Sequence, residues 1–193
     1  GNLPGYARIE ITQTVRLYVN NQNILYAQSQ PERFDVATEA RIGKTSTNAF
    51  DVALIRSRRT IREGNTYQVV SLVSVADEES LRSDWQVYPD WISTTYLQLP
   101  EALPARVRNL AQQITAPYPN PYDQAAALEK YVREKIKYND QVSSPPTERD
   151  GVDYTLFDRS EGYCNYYAAV MAVMARAVGI PARNPDDVRS GQT

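Results

Sequence analysis

Gly162-Tyr163-Cys164-Asn165-Tyr166-Tyr167-Ala168-Ala169, running on to Ala177-Val178-Gly179-Ile180-Pro181-Ala182-Arg183, is the stretch on which the reading of this chain turns. Tyr167, Met171, Met174 and Val178 recur at helical spacing and mark one apolar face. Ala168, Ala169, Ala172 and Ala175 occupy much of the remaining surface, so neighbours can approach closely on several sides, which predicts a central core helix. Gly179 ends the periodicity and Pro181 cannot extend it. Cys164 falls two residues after a glycine, in the first turn, where backbone N–H groups lack helical partners and the dipole favours negative charge. A thiolate is stabilised at such a position, and the same N–H groups can receive the oxyanion formed when it attacks a carbonyl carbon. The competing reading is that a lone cysteine packs as a small hydrophobe.

Upstream, two amphipathic helices are expected. After Pro104, Val107, Leu110, Ala111 and Ile114 recur at i, i+3, i+4 and i+7. After Asn120, with Pro121 at the first helical position and Asp123 in the first turn, Ala125, Leu128, Val132 and Ile136 form the inner stripe. Glu129 with Arg133 and Lys130 with Glu134 are i, i+4 pairs on the outer side. Residues 141–150 contain Ser143-Ser144-Pro145-Pro146 and lack periodicity, so they read as an exposed loop. Asp153 precedes an apolar run and is either a cap or turn former, or a hydrogen-bond acceptor near the cysteine.

The first part of the chain has strand character. Ala7, Ile9, Ile11, Val15, Leu17 and Val19 share one parity, which predicts a half-buried strand, and residues 20–23 supply turn chemistry before a return strand over 24–28. Residues 50–55 and 66–75 are further strands, with Gly64-Asn65 as a turn. The run 56–62, with its four arginines, is read as a solvated hairpin end. Asp77 caps a short helix from Glu78 to about Trp85, and residues 88–100 form an aromatic connector. The division expected is a β-rich lead-in domain over 1–76 and a second domain over 77–193.

Composition narrows the function classes. The 193 residues hold 21 Lys and Arg against 23 Asp and Glu, and 42% are hydrophobic, which describes a folded module and speaks against a nucleic-acid partner held by phosphate contacts. The longest apolar run, near residues 166–175, is too short to span a bilayer, and no stretch near Gly1 resembles a signal peptide, so any targeting segment is expected outside these residues. One cysteine and no histidine remove the usual zinc ligands and the usual general base together. Nothing matches a phosphate-cradling glycine loop or a calcium loop, and no cofactor or metal is expected.

The Gly162-Tyr163-Cys164 string with the terminal Gly179-Ile180-Pro181-Ala182-Arg183 turn resembles the core of the transglutaminase-like superfamily. Residues 96–100, the helix through Leu110, the Asn120-Pro121-Tyr122-Asp123 helix start and residues 153–157 extend that resemblance over residues 78–183. It implies an α+β fold, a β-rich N-terminal region followed by the helical half of a papain-like transglutaminase core. It further implies a catalytic Cys164, with Gly162, Tyr163 and Tyr166 lining a substrate cleft, although packing alone accounts for many of fourteen tyrosines. The family pairs its cysteine with a histidine and an aspartate on later strands. This chain contains no histidine, and Asn184-Pro185-Asp186-Asp187 is turn-forming where the resemblance calls for a strand. A longer parent is therefore expected to supply the missing groups, and these residues alone are expected to be inactive. The implied activity is acyl transfer from protein glutamine carboxamides through a thioester, with a cysteine amidase or peptidase and a non-catalytic interaction module as alternatives. The implied partners are protein or peptide substrates, a glutamine donor and an amine acceptor. Membrane attachment is expected only through segments outside these residues, in an extracytoplasmic domain of a bacterial membrane protein.

Overall fold

The computed structural model describes residues 8–19, 22–44, 50–83 and 87–184, and these fall into two compact units that divide at residue 80. The first unit is antiparallel β. Strand β1 (Arg8–Arg16) pairs along its length with β6 (Thr66–Ser74), and β3 (Pro31–Phe34) takes the other edge of β6. A second sheet runs β2 (Gln22–Ile24), β5 (Phe50–Ile61), β4 (Thr38–Lys44). Alternation explains which residues lie inside: Tyr67, Val69 and Ser71 are buried along β6, and Leu17 and Ile61 join Tyr67 and Val69 in the core of this unit. The Tyr67 hydroxyl is anchored at its rim, donating to Tyr26 O at 2.8 Å and accepting from Tyr26 N at 2.6 Å; burial raises its pKa.

The structure corrects two readings of this unit. The segment after the first turn does not return against β1; its short strand β2 pairs with β5, and β1 takes β6 instead. The pairing of Val15 with Tyr67 and Ile9 with Val73 matches one apolar parity to another, and that of Thr14 with Gln68 matches the polar ones, across a long sequence gap, which a local turn cannot do. Arg56, Arg58 and Arg59 are solvent-facing positions inside β5, not a hairpin end. The hairpin turn itself is residues 62–65, closed by Asn65 N to Arg62 O, with Gly64 in the left-handed conformation at φ 83°. Strands β3 and β4 carry charged, weakly alternating sequences of the kind found at sheet edges, and no local signal marks them. Ala7, the Asn20-Asn21 turn, Trp85 and the turn-forming residues 185–193 lie outside the described residues.

The second unit is mainly helical. Helices α1 (Glu78–Ser83) and α2 (Asp90–Tyr96) precede α3 (Ala105–Thr115) and α4 (Pro121–Lys135). Residues 90–96, expected as part of an aromatic connector, are helical instead: Pro89 and Asp90 start the helix, while Ile92, Thr94 and Thr95 weaken its signal in the sequence. Asn120 caps α4, its Oδ1 accepting from Asp123 N at 2.8 Å. Strand β7 (Lys137–Tyr138) follows, then α5 (Gly151–Tyr154), a π-helical turn (Thr155–Arg159), β8 (Glu161–Gly162) parallel to β7, and α6 (Cys164–Ala177).

Val107 and Ala111 of α3, Leu128 and Val132 of α4, and Val170, Met174 and Ala175 of α6 form one core with Leu103, Ile136 and Leu156. Tyr167, Met171, Val173 and Ala177 pack against it from further around α6, so this helix is surrounded on several sides, as its small residues require. Its C-terminus closes as a Schellman motif. Gly179 N donates to Arg176 O and Ile180 N to Ala175 O, with Gly179 at φ 83°. Arg176 Nε then holds Ala182 O at 2.8 Å, and Ala182 N reaches Tyr96 O at 3.1 Å, which fixes the Gly-Ile-Pro-Ala-Arg turn against α2.

Candidate active site

The chain reaches Cys164 through a sharply constrained lead-in. Asp150 caps α5, accepting from Val152 N at 3.0 Å and Asp153 N at 2.9 Å. The helix then widens into the π turn, and Ser160, left-handed at φ 56°, closes it with a bond from its N to Thr155 O. This redirects the backbone into β8, where Lys137 N donates to Ser160 O at 3.0 Å and Asn139 N donates to Gly162 O at 2.9 Å. Tyr163 is the extended N-cap residue of α6 and gives no side-chain cap.

Cys164 is the first residue of α6 and is exposed. Its Sγ lies 3.5 Å from Asn165 Oδ1. Tyr166 N and Tyr167 N turn back to Tyr163 O, whereas the helix itself provides no partner for the N–H groups of Cys164 and Asn165. An exposed sulfur beside such groups is where a thiolate and an oxyanion can both be met by fixed positive dipole ends. The packing reading of this cysteine is therefore not what the structure displays.

Gly162 and Tyr163, which precede it, both meet Tyr166. The Tyr163 and Tyr166 rings meet edge to face with centroids 4.9 Å apart. Gly162 is buried, and a Cβ there would sit 2.7 Å from Tyr166 Cβ, an atom fixed by the helix backbone. Glycine is thus required by space. Gly162→Ala is expected to cost about 1–3 kcal/mol, the range for overpacking; the shift of the urea midpoint measures it, and a change within about 0.5 kcal/mol would mean that Tyr166 moves freely.

Asp153 is not the cap of its helix, and its hydrogen-bond partners are arginines. The cap is Asp150, and Asp153 is buried under a bidentate pair from Arg106 of α3, with Nη2 to Oδ2 at 2.6 Å, and a contact from Arg149 at 3.3 Å. Asp158 shares both arginines, and Arg106 lies 4.4 Å from the Phe157 ring centroid. The Arg106 hydrogen bond holds the Asp153 carboxyl below the usual carboxylate range, and the same pairing raises Arg106. The carboxylate ties the turn that leads to Cys164 onto α3.

Two residues of this region escape a reading of the sequence. Arg159 lies over the Tyr166 ring at 4.5 Å, and Tyr138 stands opposite Gly162 in the β7–β8 pair. An exposed aromatic just after the buried Ile136 is the one local signal for the latter, and none marks the former. Among the described residues, no group of three or more His, Cys, Asp or Glu side chains is placed to hold a metal ion.

The family model of the transglutaminase-like superfamily matches residues 108–192. Those residues belong to the transglutaminase-like superfamily. The chain is 32% identical over 163 residues, 83% of its length, to a protein-glutamine gamma-glutamyltransferase of Pseudomonas aeruginosa, of which that match covers 23%. It is 38% identical over 102 residues, 52% of this chain, to the protein YebA of Bacillus subtilis, covering 14% of it. The chain thus spans a quarter or less of these curated relatives. The crystal structure of the periplasmic domain of TgpA from P. aeruginosa bound to ethylmercury superimposes with a TM-score of 0.54 at 26% identity, covering 90% of this chain and 56% of that one. The α+β fold is the one the family resemblance implies. No helix among the described residues is long and apolar enough to cross a membrane.

Proposed function

We propose that this chain is the nucleophile-bearing part of an extracytoplasmic cysteine acyltransferase acting on protein glutamine. The observation that carries this reading is the exposed Cys164 at the start of α6, inside a transglutaminase-like match. The Cys164 thiolate attacks the carboxamide carbon, the oxyanion collapses, and the C–N bond breaks as ammonia leaves with a proton, giving a thioester. A primary amine then displaces the sulfur to form an isopeptide, whereas water yields glutamate. With no histidine in the 193 residues, the proton acceptor and the aspartate that orients it come from sequence outside them, along with any membrane anchor. The relatives support this placement: one is a protein-glutamine gamma-glutamyltransferase and another is a periplasmic domain.

The test uses the longer protein that contains this chain, incubated with a glutamine-bearing protein and a fluorescent primary amine. Covalent incorporation of the amine, with ammonia released in step, is the expected result. Ammonia release without incorporation would replace transfer by hydrolysis on the same scaffold. Neither product, with Cys164 intact, would leave an interaction module.

A further inference from the structure

The segment joining β7 to α5 returns repeatedly to the strand that precedes Cys164. Asn139 donates from its backbone N to Gly162 O and from its side-chain amide to Glu161 Oε2, both at 2.9 Å. Arg159 donates from Nη1 to Ser143 O, and from Nε to Glu161 O at 2.9 Å. Its guanidinium lies 4.5 Å from the Tyr166 ring centroid and 5.5 Å from that of Tyr154, and its Nη2 is buried with no hydrogen-bond partner among the described residues. A planar cation held against two rings has its donor directions fixed, so the carbonyls it reaches are fixed with it. Residues 138–143 are thereby held beside Glu161 and Gly162, the strand that leads into α6.

Tyr138 gives this segment a face. It pairs directly with Gly162, and paired residues project to the same side of a sheet. On that side a Gly162 Cβ would meet Tyr166, so the Tyr138 ring shares the Tyr166 side, and it is 69% exposed. An aromatic side chain this open, on rigidly tied backbone and paired with the residue two positions before an exposed thiol, is suited to hold an apolar residue of an extended peptide.

We propose that residues 138–143 form one wall of a peptide-binding cleft at Cys164. Tyr138 is the specificity-determining contact for an apolar residue next to the reacting glutamine, and Arg159 is a positioning residue that holds the wall through Ser143. The glutamine in this assignment rests on the acyl-transfer reading; the wall itself does not.

The test alkylates Cys164 of the 193-residue chain with two probes, iodoacetamide and a leucine-flanked tripeptide whose central side chain ends in an iodoacetamide group. The wild-type chain is expected to react with the peptide saturably, and about tenfold faster than with iodoacetamide at low concentration, the factor one good apolar contact supplies. Tyr138→Ala and Arg159→Met each lower that advantage about five- to tenfold while the iodoacetamide rate stays within about twofold. Arg159→Lys does not restore it, since an ammonium lacks the fork that spans two carbonyls. Equal wild-type rates for the two probes, or an advantage unchanged in Tyr138→Ala, overturn the wall. Equal slowing of both probes in Arg159→Met overturns its positioning role, and Tyr138→Ala, at an exposed position, then decides the wall alone. Loss of amine incorporation in the longer protein, with the peptide advantage retained, overturns acyl transfer and leaves the wall standing.

Discussion

Replacing Cys164 by serine in the longer protein is expected to abolish amine incorporation, by about a thousandfold or more, while leaving the fold as stable as before. The loss follows from the chemistry: a hydroxyl at this position is a far poorer nucleophile, and nucleophile and base act as one unit, so removing either forfeits most of their joint effect. The unchanged stability follows from geometry. Cys164 is exposed at the first residue of α6, so the substitution opens no cavity, and serine is well tolerated at a helix start. Amine incorporation measured alongside the urea midpoint checks both halves. A buried structural cysteine gives the opposite pattern, a fall in stability with function following it, and that outcome would remove the nucleophile from this reading.

Asp153→Asn is expected to lower stability by about 2 kcal/mol at pH 7, as severing a buried, bidentate carboxylate pair does when the arginines left behind are half-exposed and can rehydrate. The carboxylate ties α5 and the π turn to Arg106 on α3, so the variant loosens the path into β8 and Cys164. Its pH dependence has a definite sign. Arg106 and Arg149 hold the folded-state pKa of Asp153 below its unfolded value, so the contribution is complete above the unfolded value of about 3.9. It is lost as the pH falls from there through the lowered folded value. Urea midpoints of the two proteins should therefore differ most at neutral pH and converge as the pH drops below about 4. A gap that persists unchanged at pH 3 would show that the asparagine disrupts packing rather than an ion pair.

The helical half of this chain is largely legible in its amino-acid sequence. Periodicity marks Val107, Ala111, Leu128, Val132 and Met174, and all five are buried. Asn120 and Pro121 announce the start of α4, and Gly179 the end of α6, because capping is local chemistry written within a few residues. The same locality places Cys164 in a helical first turn. Helix α2 escapes because its β-branched residues lower the intrinsic signal, and strands β3 and β4 because edge strands carry little alternation.

What the sequence by itself determined is which residues face inward and where the nucleophile's helix begins and ends. What only the tertiary structure decided is partnership. Strand β1 takes β6 over the nearest segment, Asp153 serves Arg106 on another helix, and Arg159 joins Ser143, Tyr154 and Tyr166. Periodicity reports that a side chain is buried and says nothing of what covers it. Pairings between distant residues depend on register and loop closure, quantities that belong to the folded chain as a whole.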